Sequence, residues 1–266
     1  MALFKFDLFD DQYLIKGFKG EHHFEEVQIT PKDKRLLRII KICLGIYSAF
    51  IRFRIRMAPN RMERACRTYS RGPRGFLLRA IYYKTKLRHL GQNTLIDTDV
   101  KIWNPQNVSI GSYSHIDLGA VIEGGPLGKG RVDIGNHTHI AANSLLSGRG
   151  GLYIGDNVAV AAGCRIFTAS NFHTDPDGRY CYMSAVSKQE HQYVVEKPIH
   201  IKKEVLIGAN SVILPDITVG EGSVVGALSL VTQDIPPYSI AMGYPARVIM
   251  KRPKGELRSV KKTSKK

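Results

Sequence analysis

At 266 residues and 43% hydrophobic content, the chain is sized for one substantial core with an appendage, not for several domains. Four scattered cysteines without CxxC spacing exclude a disulfide scaffold and fit a reducing compartment. The formal charge of +16 is unevenly carried: residues 31–91 come to +15 and residues 251–266 to +7, whereas 1–30 and 92–250 come to −3 each.

Residues 1–30 mix aromatics with acids and show no period, and acids precede any apolar run, so no secretory leader is read there. A helix is expected to start at Thr30-Pro31-Lys32-Asp33, with Thr as cap, Pro in the first position and an acid in the first turn. It should run to about Arg56, before Ala58-Pro59-Asn60. Arg38, Lys41, Gly45, Ser48, Arg52 and Arg56 follow at spacings of three and four and form one narrow polar stripe; apolar residues fill the wide remaining arc. That pattern fits either a helix lying in a membrane interface or one packed on the protein. A second basic helix is expected from Arg74 to about His89, ended by Gly91. Anionic lipid attracts such clusters. No nucleic-acid motif accompanies them, so no nucleic-acid partner is expected. The longest uncharged run, Ile42–Ile51, is too short to span a bilayer, and the chain is expected to be cytoplasmic, at most peripheral on the inner face of the membrane.

From about residue 95 a six-residue period takes over. Ile96 and Ile102 open it; Ile110, Ile116 and Ile122 share a phase, as do Ile134, Ile140 and Leu146, then Ile154, Val160 and Ile166. After the longest break, residues 167–200, it resumes without a slip at Ile201, Ile207, Ile213, Val219, Val225 and Val231. Neither a helix nor an ordinary strand repeats every six residues. A coil with three short flat faces does, each hexad supplying one face and Gly or Asn the corner. The division expected is a basic, mostly helical segment at 1–94, the repeat domain at 95–250 and a basic disordered tail at 251–266.

With Ile207-Gly208-Ala209-Asn210, Val225-Gly226-Ala227, Val231-Thr232-Gln233-Asp234 and Gly243-Tyr244-Pro245-Ala246-Arg247, the repeat resembles the hexapeptide-repeat acyltransferases over residues 95–252. It is most similar to their sugar, polysaccharide and antibiotic O-acetyltransferase branch. The resemblance implies an all-β, left-handed parallel β-helix, here with an N-terminal basic helical appendage, assembled as a homotrimer. It implies acetyl-CoA as co-substrate, lying against Ala209 and Ala227, then Thr232, with Arg247 or Lys251 near its phosphates. Gln233 stands where the family commonly has Lys.

Chemistry is expected where the pattern breaks, because loops on rigid scaffolds carry sites. Acyl transfer to a hydroxyl needs a base, and neutral imidazole is the usual one. His173, early in the loop 167–200, matches the family's base, although Phe172 separates it from Asn171. Asp175 is the expected partner that orients the imidazole. Asn143 matches an acceptor-binding position, or is simply a corner Asn. His115, His137 and His139 fall at outward positions and read as solvent-facing. His137 and His139 bring to mind the zinc-binding β-helix carbonic anhydrases, but no distinctive spacing supplies a third ligand, and no metal is expected. The activity expected is O-acetylation of a sugar hydroxyl in cell-surface polysaccharide or lipopolysaccharide synthesis, on a free or lipid-linked saccharide. The alternatives are an N-acetyltransferase acting on an amino-sugar nucleotide, an antibiotic-type enzyme with a soluble acceptor, and a non-catalytic β-helix scaffold that binds membrane.

Overall fold

The computed structural model describes residues 8–12, 14, 30–68, 73–126 and 129–253; most of residues 1–29 and, from 254 on, the expected tail lie outside the described residues. Among the described residues, the helices α1 (Pro31–Met57), α2 (Pro59–Thr68) and α3 (Pro73–Lys86) lead into the coil. Thr30 caps α1 as expected. Its hydroxyl accepts from Asp33 N, and the Asp33 carboxylate accepts from Thr30 N at 3.0 Å, which satisfies two orphan donors reciprocally. The sequence reading missed α2, because Pro59 ends α1 and also suits the first turn of the next helix. The buried pair Met62 and Cys66, four apart, was its available signal.

The side that α1 turns inward differs from the expected one. Leu37, Gly45, Ser48, Ile51 and Ile55 are buried, so the supposed polar stripe is split. Gly45 and Ser48 are short enough to lie against neighbouring helices, while Arg38, Arg52 and Arg56 stay in solvent.

Helix α3 plugs the N-terminal end of the coil. Leu78 and Ile81 join the same core as Leu90 and Ile96. Arg79 Nε donates to the Ile96 carbonyl at 2.6 Å, Tyr83 Oη to Val100 at 3.1 Å and Lys84 Nζ to Leu90 at 2.8 Å. Edge carbonyls that no preceding coil could serve are thereby paired.

The body is a left-handed parallel β-helix of six complete coils and part of a seventh. Each complete coil gives one strand to each of three parallel sheets, which form the faces of a triangular prism. Face 1 starts at His89–Leu90, face 2 at Leu95–Ile96 and face 3 at Lys101–Trp103. The expected inward residues are inward: Ile116, Ile140, Val160, Ile207 and Val225 stack on face 2 and are fully buried. The second inward position carries small or hydroxyl residues for a further reason. Ser114, Thr138 and Ser211 each donate to a corner carbonyl of the next coil at 2.9 Å. Between faces 2 and 3 the corner residues take positive φ, 59° at Asn143 and 74° at Gly163.

Alternation along these strands gives a direct test. Ile207→Ala is expected to destabilise the chain by about 2–5 kcal/mol in urea unfolding, as a fully buried branched side chain is lost. Leu206→Ala, one residue away and facing out, should cost well under about 1 kcal/mol. Equal losses would contradict the register.

Candidate active site

The long break in the repeat is an arm. After the face 3 strand Arg165–Phe167 the chain forms an antiparallel hairpin, Ala169–Phe172 against Tyr193–Glu196, and rejoins the coil on face 1 at Ile199–Ile201. The arm thus roots at the corner between faces 3 and 1. His173 follows the outgoing strand, exposed, six residues beyond Phe167. Asn171 Nδ2 donates to the Met183 carbonyl at 2.9 Å and so ties the hairpin to its tip. Asp175 is not brought to the imidazole. Its Oδ1 accepts from the backbone N–H groups of Asp177 and Arg179, and its Oδ2 from Arg179 Nε at 2.8 Å. These bonds hold its carboxyl below the usual carboxylate range and make it a turn-forming residue.

The donor residues gather elsewhere, at the corner between faces 2 and 3. Leu118, Ala142, Ala162 and Ala209 stack there, each carbonyl accepting from the coil that follows, and Ala227 comes next. From Ala142 to Ala227 is three coil spacings, about 14 Å. A Cβ on Gly208 would meet Ala227 N at 2.4 Å, so the column is as tight as the backbone allows. Arg247 lies beyond its C-terminal end, on the last hairpin, Ser239–Gly243 against Ala246–Lys251, where it pairs in register with Met242. Lys251 Nζ donates to Ser239 Oγ at 3.1 Å, and Thr232 is exposed on the next face. Asn143 is the left-handed corner residue of the third coil, one position after Ala142 in the column.

A cluster that the sequence reading passed over stands at the other end of that column. His115 and His139 occupy the same outward position on successive coils of face 2 and stack with ring centroids 5.6 Å apart. Asp117, which immediately precedes Leu118 of the column, lies between them: Oδ1 is 3.3 Å from His115 Nε2 and Oδ2 is 3.0 Å from His139 Nε2. Burial lowers the His115 pKa; Asp117 opposes that shift and His139 adds to it. A neutral imidazole beside a carboxylate is a ready proton acceptor. The three ligand atoms lie within 4.8 Å of one another, so they could also receive a divalent cation, leaving one position open. The available signal was the 24-residue spacing of His115 and His139, one eighteen-residue coil plus the insertion around Gly124–Gly130, which hid their shared phase.

Cys181, inside the arm, is buried, and Cys164, just before the arm, is fully buried, where burial raises its pKa. Cys164 donates to the Gly208 carbonyl and packs the core, so it is no nucleophile.

The chain is also similar to known proteins. The model of the bacterial transferase hexapeptide (six repeats) matches residues 198–233. The dTDP-4-amino-4,6-dideoxy-D-glucose acyltransferase of Escherichia coli is 31% identical over 179 residues, 66% of this chain and 90% of that protein. Among solved structures, AntD, an N-acyltransferase from Bacillus cereus in complex with dTDP and 3-hydroxybutyryl-CoA, is 31% identical with a TM-score of 0.57, over 64% of this chain and 86% of that one. A variant of AntD in complex with dTDP-4-amino-4,6-dideoxyglucose and coenzyme A superposes with a TM-score of 0.56 at 31% identity, over 64% and 87%.

Proposed function

This chain belongs to the hexapeptide-repeat transferases and is an acyltransferase using acyl-CoA, and from that premise we propose that its acceptor is the amino group of a nucleotide-linked amino sugar. Relatives named for amine acceptors favour nitrogen over the hydroxyl that the sequence alone put first. The observation that carries the proposal is the His115–Asp117–His139 cluster at the N-terminal end of the alanine column.

Acyl-CoA lies with its pantetheine arm along Ala227, Ala209, Ala162 and Ala142, its phosphates near Arg247 and Lys251, and its thioester towards Asp117. The acceptor nitrogen attacks the thioester carbonyl carbon. The tetrahedral oxyanion collapses, the C–S bond breaks, and the coenzyme leaves as its thiol. The proton lost by nitrogen passes to the cluster, where Asp117 keeps both imidazoles oriented, and from there to the departing sulfur, which completes the thiol. No acyl-enzyme is needed, in keeping with the buried Cys164. The hairpin arm springs from a different corner of the prism than the column, so His173 reaches a donor site by covering the column of an adjacent copy in a homotrimer. There Asn171 and His173 contact the acceptor.

The test is steady-state acetyl-CoA turnover by the purified chain. dTDP-4-amino-4,6-dideoxyglucose should be used with a kcat/KM at least about a hundredfold above that of its 4-hydroxy counterpart and of the free amino sugar, because a neutral amine is a better nucleophile than a hydroxyl and the nucleotide adds binding energy that the free sugar lacks. A preference for the hydroxyl sugar would overturn the amine assignment.

A further inference from the structure

The outer face of α1 is apolar and left uncovered by the other described residues. Ile39, Ile42, Ile46, Phe50, Phe53 and Met57 follow at spacings of three, four, four, three and four, and each is 53–67% exposed. They form one stripe about 27 Å long, on the side of the helix opposite its buried residues. Monomeric soluble proteins rarely leave so many large apolar side chains contiguous in water. Arginines border the stripe: Arg38, Arg52 and Arg56 along one edge, and Arg54 along the other, its guanidinium 5.8 Å from the Phe50 ring centre. In its 27 residues α1 carries eight Lys and Arg against one acid, Asp33, which is buried in the N-terminal cap.

We propose that α1 lies in the surface of an anionic lipid bilayer, its apolar stripe among the acyl chains and its arginines at the headgroups. No helix among the described residues is long and apolar enough to cross a membrane, so the attachment is in-plane. Charge selects the occupant. A second copy docked on this stripe would set arginine rows against each other with no acid on either face to pair with them. Nucleic acid would engage the arginines but gain nothing from six aliphatic and aromatic side chains. A bilayer with anionic headgroups complements both parts. The proposal stands apart from the choice of acceptor, since an enzyme held at a membrane can still act on a soluble nucleotide sugar.

The test is co-sedimentation of the full chain with vesicles of phosphatidylcholine alone and with added phosphatidylglycerol. Binding to the anionic vesicles is expected, weakening as salt is raised, with little binding to phosphatidylcholine. Phe50→Glu combined with Phe53→Glu should weaken it at least about tenfold, and Arg52→Glu with Arg56→Glu by a similar factor. Both double variants should keep wild-type acetyl transfer to a soluble acceptor, so loss of vesicle binding is separable from loss of the enzyme. If the wild-type chain ignores anionic vesicles, or the Phe50/Phe53 variant binds them as well as wild type, the proposal is overturned. It is likewise overturned if wild-type binding is absent and the Phe50/Phe53 variant instead lowers the hydrodynamic mass, which would give the stripe to another copy of the chain.

Discussion

Asp117→Asn is expected to lower kcat/KM by roughly 10²–10⁴, the usual contribution of a positioned acid–base group. An amide at this position preserves shape but offers only one acceptor oxygen, so one of the two imidazole contacts, 3.3 and 3.0 Å in the parent, loses its partner. His115→Ala and His139→Ala should each cost less than Asp117→Asn, because either leaves one imidazole–carboxylate pair standing. The pH profile carries the same expectation with a definite sign. Burial depresses the His115 pKa, so the neutral, proton-accepting form persists to lower pH than in free imidazole. The acid limb of kcat/KM should therefore lie below about 6.5. A larger loss in His173→Ala than in Asp117→Asn would move the base from face 2 to the arm.

The second large effect concerns the donor. Ala227→Trp is expected to raise the Kd for coenzyme A by at least about a hundredfold in isothermal titration, as an indole would fill the outward side of the column where pantetheine lies. Ala227 is exposed, so the larger side chain meets solvent and not the core, and the fold should survive unchanged by circular dichroism. Arg247→Ala should weaken binding about tenfold, the scale of one exposed phosphate contact. Undiminished affinity in Ala227→Trp would remove the column as the donor groove and leave Arg247 and Lys251 without the role given them.

The coil was legible because its rule is strict. An aliphatic residue every sixth position, a small residue four places later and Gly or Asn at the corners leave no other period to compete, and Ile207, Ser211 and Asn210 sit where that rule puts them. Thr30 was legible for the same local reason, a cap that needs only the three residues after it. What escaped depended on how separate stretches meet. The inward turn of Gly45 and Ser48 is decided by the neighbouring helices, not by the polarity of α1 itself. Asp175 read as a partner for His173 by proximity in sequence, yet a tight turn claims it for Arg179. His115 and His139 looked like unrelated surface residues until the insertion between them was folded out of the coil and placed them in register.

Acyl transfer to nitrogen leaves an amide and transfer to oxygen an ester, so the bond formed in the product separates the two. The purified chain would be incubated with acetyl-CoA and dTDP-4-amino-4,6-dideoxyglucose, and the nucleotide sugar followed by mass spectrometry before and after mild hydroxylamine treatment. The expected product has gained one acetyl group that survives hydroxylamine, as an amide does. An acetyl group that hydroxylamine removes would be an ester, and together with acetylation of the 4-hydroxy sugar it would make the enzyme an O-acyltransferase and overturn the amine assignment.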